Sequence, residues 1–281
     1  MRPADVAPAA EAMLRDDWGD RRAWFEFATG FEACHAIVAD LDDRIVGTGV
    51  GTRNGRAGWI GTIWVHSELR RRGLGRALTE AVISALTDAG ARTLVLVASE
   101  AGGRLYERMG FEVQTWYEIW EASGLPDSSS GGPATEAPEA GARVVRAFEP
   151  DDLPAIVALD AEATGEDRSA VLAAFASSSS ARVAAAPSGP IDGFVIRAPW
   201  GGGATIAVDA DVAMAVLDAR RRAAGPDGRV RVGILSENAV GRERFESAGL
   251  EHVWSAPRMV RGEPLTWRPD RIWGQFNHAM G

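Results

Sequence analysis

The same order of predicted elements occurs twice in the sequence, on either side of a segment with few large apolar residues. That segment, residues 122–143, is rich in Pro, Gly, Ser and Ala, which is typical of a flexible linker. The stretches RLYERMGF (104–111) and ERFESAGL (243–250) both place an aromatic residue four positions before a glycine and a large apolar residue. We infer an internal duplication, and predict a first domain over residues 1–121, a linker over 122–142 and a second domain over 143–281.

Hydrophobic periodicity predicts strands that alternate with helices in both halves. The first half contains predicted helices at 3–15, 20–28, 73–89 and 102–109 and predicted strands at 34–39, 44–52, 59–65, 92–98 and 112–120. Asn54-Gly55 is a hairpin turn signal. The second half contains predicted helices at 150–176, 209–224 and 238–248 and predicted strands at 143–148, 182–186, 191–199, 204–208, 229–235 and from 249 onwards. The fold class is therefore α/β (α+β).

Composition excludes several classes of function. The net charge of −9 argues against nucleic-acid binding and suits a cationic or small-molecule substrate. One cysteine, Cys34, excludes a disulfide framework, indicates a reducing and therefore cytoplasmic compartment, and, with four scattered histidines, predicts no metal site. No apolar run reaches the roughly 18 residues of a membrane span, and we expect no membrane association and no signal peptide. All 30 basic residues are arginine, which excludes a lysine Schiff base.

The most informative stretch is VHSELRRRGLGRAL, residues 65–78, where a predicted strand ends and a helix begins. The first turn of a helix presents free backbone N–H groups and partial positive charge, which suit a phosphate or pyrophosphate. Gly73 and Gly75 allow close approach, and the arginines at 70, 71, 72 and 76 add cationic donors. A Rossmann site is disfavoured because GTGVG (47–51) lies in a strand and RGLGRA lacks the third glycine.

This stretch resembles motif A of the GNAT acyl-CoA N-acetyltransferases, with Arg70, Gly73 and Gly75 at the R/Q-x-x-G-x-G/A positions. SEAGGRLYERMGF (99–111) resembles motif B, although Ser99 replaces the usual Asn and Gly102 the usual Ala. The resemblance implies two tandem GNAT-like domains, each a mixed, mostly antiparallel twisted sheet flanked by helices. It also implies acetyl-CoA as the acyl donor.

The same resemblance implies roles for individual residues. The backbone of Ile63, Trp64 and Val65 would pair with the pantetheine arm, and an N–H near Val65 would stabilise the oxyanion. Tyr106 would be the general acid. The remaining implied cofactor-binding residues lie at the helix start and in motif B: Arg70, Arg71, Arg72, Gly73, Leu74, Gly75, Arg76 and Ser99.

The sequence leaves the acceptor site and the general base open. Candidate bases are Glu26, Glu32, His35, His66, Glu118 and a carboxylate at Gly281 on a tail that could fold back onto the first domain. Asp160, Glu162, Glu166 and Asp167 are candidates for binding a cationic acceptor, with a solvated helix end as the alternative. Trp24, Trp64, Trp116, Trp267 and Trp273 could form an aromatic pocket wall or belong to the core.

The second half resembles the degenerate C-terminal half of tandem bacterial GNAT proteins, with RMVRG (258–262) and GEDR (165–168) as marks of that group. Its equivalent helix start carries Asp209 and Asp211, which cap a helix but repel a pyrophosphate, and Phe245 replaces the motif tyrosine. We therefore predict one CoA site, in the first domain.

Three functions remain open at this point. The leading one is an acetyl-CoA-dependent N-acetyltransferase that acts on a primary amine of a small molecule, in a monomer or homodimer. The alternatives are a non-catalytic CoA-binding sensor or regulator and an acyltransferase for a peptide or protein N-terminus or a thiol precursor.

Overall fold

The computed structural model describes residues 1–126, 143–187 and 189–281, and the chain divides into two compact units. Unit 1 contains Met1–Gln114, Pro257–Pro264 and Asn277–Gly281, and unit 2 contains Thr115–Ala256 and Leu265–Phe276. Most of the predicted linker, residues 127–142, lies outside the described residues.

Unit 1 is a mixed sheet with helices, as the alternating pattern predicts. Its helices are α1 (Val6–Arg15), α2 (Arg22–Gly30), α3 (Leu74–Asp88) and α4 (Glu100–Glu107), and its strands are β1 (Cys34–Leu41), β2 (Arg44–Asn54), β3 (Ala57–Val65), β4 (Thr93–Val97) and the start of β5 (Glu112–Ser123). Pairs β1–β2 and β2–β3 are antiparallel, and β3–β4 is parallel. Gly55, with a φ of 63°, forms the predicted hairpin turn between β2 and β3.

The GTGVG stretch of β2 is a packing surface for α3. A β-carbon at Gly47, Gly49 or Gly51 would lie 2.8, 3.0 or 2.9 Å from Leu78, Val82 or Leu86, respectively. Alternate strand residues are about 6.6 Å apart, and helix residues four positions apart are about 6 Å apart, so the two rows match. These glycines therefore allow close helix–sheet contact.

Unit 2 repeats the alternation. Its helices are α5 (Leu153–Thr164), α6 (Ser169–Phe175), α7 (Ala210–Ala224) and α8 (Ala239–Ser247). Its strands include β6 (Val144–Ala147), β7 (Ala181–Ala185), β8 (Ile191–Arg197), β9 (Gly203–Ala207), β10 (Arg229–Leu235), the first half of β11 (Glu251–Gly262) and β12 (Ile272–Gly274). One sheet has the order β12-β9-β8-β7-β6. The predicted helix over 150–176 is interrupted, because Gly165 adopts a φ of 71° and ends α5.

The two units exchange strands, which the sequence pattern did not predict. In unit 2, β5 pairs antiparallel with β10, from Tyr117↔Leu235 to Ser123↔Arg229. In unit 1, β4 pairs antiparallel with residues 258–262 of β11. Residues 115–121 therefore belong to unit 2 and residues 257–264 to unit 1, unlike the predicted boundaries.

Charged and aromatic contacts accompany the exchanged strands. In unit 1, the Arg258 guanidinium lies 5.4 Å from the ring centroid of Trp59, and that of Arg261 lies 5.2 Å from the ring centroid of Phe111. In unit 2, Glu121 of β5 forms ion pairs with Arg229 and Arg231 of β10. Backbone ladders pair strands of any sequence, so side-chain contacts of this kind have to select the partner.

Candidate active site

The first feature of the site is strand β3, which pairs with β4 along only its first half. The parallel pairing of β3 with β4 extends from Ala57↔Thr93 to Ile60↔Leu96 and includes no residue of β3 beyond Ile60. Ile63, Trp64 and Val65, the three residues expected to pair with a pantetheine arm, lie in this segment. The strand edge there can accept an extended ligand as an added strand.

A bulge interrupts β3 at the same place. The register with β2 shifts between Thr48 and Val50, and Thr62 adopts a φ of 53°, which is rare for a β-branched residue. Trp24 Nε1 donates to Thr62 Oγ1 at 3.0 Å, and Thr48 Oγ1 donates to the Thr62 carbonyl at 2.9 Å. These bonds hold the bulge, and no local motif in the sequence indicates it.

Asp16 fixes the end of β3, which sequence reasoning missed. Its Oδ2 accepts from Trp64 Nε1 at 2.8 Å and from Arg70 Nη2 at 2.5 Å. Burial by itself would raise the pKa of Asp16, but the hydrogen bonds from Trp64 and Ser67 and the charge of Arg70 together lower it. Arg70 also donates from Nε to the Val65 carbonyl at 3.0 Å, so Arg70 positions the loop.

The start of α3 carries the predicted anion-binding features. Gly73 precedes Leu74 with a φ of 87°, and a β-carbon there would meet no heavy atom within 4 Å. Within the described chain, the N–H groups of Leu74, Gly75 and Arg76 donate no backbone hydrogen bond.

The four arginines of this loop differ in their partners. Arg70 pairs with Asp16, and Arg76 pairs with Glu80 at 2.8 Å. Arg71 and Arg72 are exposed and form no ion pair with a described residue. These two side chains are therefore the ones available to a ligand.

The motif B residues lie on α4. Tyr106 is buried beside the side chain of Thr79. Burial raises the pKa of Tyr106 to about 12, although the contact with Thr79 acts to lower it. Thr79 Oγ1 donates to the Gly75 carbonyl at 2.8 Å, so Tyr106 lies beside a residue that is fixed to the first turn of α3. Ser99 Oγ caps α4 by accepting from Gly102 N at 3.3 Å, so its side chain has a structural role.

Two family models match this chain. The model of the Acetyltransferase (GNAT) family matches residues 5–111, and the model of the Acetyltransferase (GNAT) domain matches residues 156–274. The chain belongs to the GNAT family of acetyltransferases. The predicted tandem arrangement and the mixed α/β fold class are thereby confirmed.

Solved structures with the same fold cover the whole chain. A protein of Pyrococcus horikoshii described as an acetyltransferase has 22% identity and a TM-score of 0.80, covering 100% of this chain and 94% of its own. A GCN5-related N-acetyltransferase from Sphaerobacter thermophilus has 19% identity and a TM-score of 0.64, with 95% and 96% covered. A tandem GNAT protein from the clavulanic acid biosynthesis pathway has 14% identity and a TM-score of 0.60, with 93% and 96% covered. No curated protein matches this chain.

The second GNAT domain has a closed counterpart of this site. Asp209 caps α7 by accepting from Val212 N at 2.9 Å and also pairs with Arg143, while Asp211 pairs with Arg244. In unit 2, β12 pairs with β9, from Ile272↔Ile206 to Gly274↔Thr205, so the chain itself occupies that edge. Phe245, at the tyrosine position, is buried against Trp120 and Trp273.

The candidate bases lie in different environments. Glu118 is in unit 2 and forms two hydrogen bonds with Arg242, at 2.5 and 3.0 Å, so it was wrongly placed in the first domain. Glu26 and Glu32 are exposed, and burial followed by the charge of Arg53 lowers the pKa of His35 on β1.

His66 directly follows the open segment of β3. Its Nδ1 accepts from Glu68 N at 3.4 Å, which places the proton of a neutral ring on Nε2. In this tautomer Nε2 donates, so His66 becomes a base only after it gives up the contact with Glu68.

The tail segment Asn277–Gly281 belongs to unit 1, as the tail hypothesis expected. Asn54 Nδ2 donates to the Met280 carbonyl at 3.0 Å, and Ala279 lies against Gly61 of β3. His278 is partly buried, and burial lowers its pKa to about 4. Its ring is therefore neutral at pH 7 and a poor acceptor for an ammonium proton.

Two of the four acidic candidates in the second domain, Asp160 and Glu162, form ion pairs with arginines. Asp160 is buried and forms two hydrogen bonds with Arg168, at 2.9 and 2.5 Å, and Glu162 pairs with Arg271 at 2.8 Å. Asp167 accepts from Ser169 at the start of α6, and Glu166 is buried. Asp160 and Glu162, two of the candidates for binding a cationic acceptor, therefore already have cationic partners within the chain.

The five tryptophans proposed as an aromatic wall are divided between the two units. Trp24 and Trp64 lie in unit 1, where their indole N–H groups bind Thr62 and Asp16, and Trp116, Trp267 and Trp273 lie in unit 2.

Across residues 1–126, 143–187 and 189–281, no group of three or more His, Cys, Asp or Glu residues could hold a metal ion. No helix in these ranges has the length and apolar content needed to cross a membrane.

Proposed function

We propose that this chain is an acetyl-CoA-dependent N-acetyltransferase with one cofactor site, in the first GNAT domain, and a primary amine of a small molecule as acceptor. The observation that carries the proposal is the open edge of β3 beside a helix start with free N–H groups and two uncompensated arginines. The open space at Gly73 fits a phosphate group at the helix N-terminus. Acetyl-CoA would supply an acetyl thioester, whose carbonyl carbon is the electrophile.

The protein contributes positioning and charge stabilisation. The N–H groups of Leu74 to Arg76, with Arg71 and Arg72, bind the pyrophosphate. The backbone of Ile63 to Val65 binds the pantetheine arm, and an N–H near Val65 stabilises the developing oxyanion. The bulge at Thr62 breaks the alternation of β3 and sets the direction of these N–H groups.

Two proton transfers accompany the reaction. The acceptor amine must be neutral to attack the thioester. For a primary amine with a pKa of about 10.4, deprotonation at pH 7 costs about 4.6 kcal/mol of free energy. Tyr106 supplies a proton to the leaving thiolate, because its pKa of about 12 keeps the phenol protonated across the physiological range. The contact with Thr79 places the phenol beside the helix that binds the pyrophosphate.

Replacing Arg71 and Arg72 together with alanine should weaken acetyl-CoA binding by roughly tenfold to a hundredfold, because two charge-assisted phosphate contacts are lost. Calorimetric titration measures the change. The matched control, Arg53→Ala with Arg92→Ala, removes two exposed arginines at the opposite end of the sheet and should leave the affinity unchanged. If both variants bound acetyl-CoA equally weakly, the loss would come from the change in net charge and not from Arg71 and Arg72. Two equivalent sites per chain would contradict the single-site proposal.

Replacing Tyr106 with phenylalanine should lower kcat by roughly tenfold to a hundredfold and leave the KM for acetyl-CoA almost unchanged, because a proton donor is lost while binding groups remain. Free-thiol release during a screen of diamines, amino alcohols and amino acid amides measures the rate. Tyr117→Phe, which changes the chain's other tyrosine, is the control and should keep full activity. Full activity of the Tyr106 variant would remove Tyr106 from the chemistry. Acetyl-CoA binding without turnover of any amine or N-terminal peptide would instead favour a CoA sensor.

A further inference from the structure

A cavity of about 560 Å³ lies within unit 2, away from the start of α7. It is lined at the ends of α6, β8 and α7 and at the start of β10. Because a helix rises about 1.5 Å per residue, Arg220 in this cavity lies roughly 16 Å along α7 from Asp209. The volume falls within the range of about 300–1,000 Å³ that is usual for small-molecule sites.

The cavity is positively charged in an acidic protein. Among the described residues that line it are three arginines, Arg197, Arg220 and Arg229, and no carboxylate. Arg229 is neutralised by Glu121. Arg197 donates to the Ser179 carbonyl at 2.8 Å, and neither it nor Arg220 forms an ion pair with a described residue.

The proposal depends mainly on Arg220. This residue is 5% exposed, and its charge has no counter-ion among the described residues. Nη2 donates to the carbonyls of Gly201 and Arg231, at 2.8 and 3.0 Å. Nη1 is buried and has no hydrogen-bond partner among the described residues. Burial, and then the charge of Arg197, lower the pKa of Arg220 to about 10. A buried cation of this kind is costly unless an anion compensates it.

The remaining wall is apolar. Phe175, Pro199 and Val230 line the cavity. Phe175 is held edge-on to Trp200, with ring centroids 5.3 Å apart, and packs against Phe276 at the same distance. A fixed aromatic ring beside a cationic end favours a ligand with an apolar body and an anionic group.

We propose that this cavity binds a small organic anion whose carboxylate or phosphate group is held by Arg197 and Arg220. The apolar body of the ligand contacts Phe175 and Val230. The site is separate from the acetyl-CoA site and does not depend on the proposed acetyl transfer, since every lining residue belongs to unit 2.

The test uses phenyl phosphate and benzoate as probes, titrated calorimetrically at low salt. The starting protein carries Arg71→Gln and Arg72→Gln, so that the anion site of the first domain does not contribute. One saturable site per chain is expected for at least one probe. Arg220→Gln and Arg197→Gln should each weaken it at least tenfold, whereas Arg222→Gln, which changes an exposed arginine of α7 outside the cavity, should leave it unchanged.

The two probes distinguish a phosphate from a carboxylate ligand. Phe175→Ala should weaken phenyl phosphate and leave inorganic phosphate unaffected, which tests the apolar wall. The absence of saturable binding by both probes would overturn the proposal, as would unchanged binding in Arg197→Gln. That second variant decides the matter if Arg220→Gln does not fold, because Arg197 is only half-buried.

Discussion

Replacing Arg168 with leucine should lower the free energy of unfolding by about 3–5 kcal/mol, because it leaves the Asp160 carboxylate buried without its partner. Burial alone would lower the pKa of the Arg168 guanidinium, but the charge and hydrogen bonds of Asp160 raise it. The pair is therefore strongly coupled in the folded state. Urea unfolding monitored by fluorescence measures the loss.

A second variant tests the cause of the loss. Asp160→Asn combined with Arg168→Leu removes the uncompensated buried charge and should recover most of the stability. A deficit that persists in the double variant would assign the loss to packing, for example against Phe276, which lies 5.8 Å from the guanidinium.

Replacing Gly61 with alanine should lower the free energy of unfolding by at least about 2 kcal/mol, because the added methyl group has no space. Its carbon would lie 2.5 Å from Ala279 Cβ, 2.7 Å from Ala279 Cα and 2.8 Å from the His278 carbonyl oxygen. Two of these three atoms are backbone atoms, so either β3 or the segment Asn277–Gly281 must move. Chemical unfolding and acetyl-CoA titration on the same protein measure the two consequences.

Two further variants separate a clash from a general effect of alanine. Gly103→Ala in α4 adds a methyl group where no heavy atom lies within 4 Å, and should stabilise the protein by about 0.5–1 kcal/mol because alanine favours helix. Combining Gly61→Ala with Ala279→Gly removes the closest of the three contacts and should restore part of the stability. If Gly61→Ala were as stable as the parent, the packing of the tail segment on β3 would be contradicted.

The four arginines at the start of α3 in the first GNAT domain have three different environments. Arg70, held by Asp16 and the Val65 carbonyl, fixes the loop between β3 and α3. Arg76 is paired along its own helix with Glu80. Arg71 and Arg72 are exposed at the helix start. Arginines that look equivalent in the sequence therefore have different structural roles.

Local structure was predictable from the sequence because its causes are local. The glycine and arginine pattern at 70–76 predicted the start of α3, Asn54-Gly55 predicted the hairpin, and Asp209 was expected to cap its helix. Each depends on a few neighbouring residues and their backbone preferences. The internal duplication could also be inferred from the sequence, since two copies of one fold retain the same order of helices and strands.

Side-chain roles at the site needed the tertiary structure. Tyr106 and Ser99 were placed by a motif, but only the fold brings Tyr106 to Thr79 and shows Ser99 as a helix cap. Asp16 lies 48 residues before the Trp64 it binds, and Thr62 acquires its unusual backbone from Trp24 and Thr48. Nothing adjacent to these residues in the chain marks such contacts.

The sequence by itself determined most of the helices, the hairpin turn at Asn54-Gly55 and the glycine-rich start of α3, because periodicity, caps and glycines act over a few residues. Only the tertiary structure decided which strands pair. A backbone ladder accepts any strand, so the pairing of β5 and β11 depends on side-chain contacts such as Arg261 with Phe111 and Glu121 with Arg229. These contacts join residues more than a hundred positions apart, where sequence periodicity carries no information.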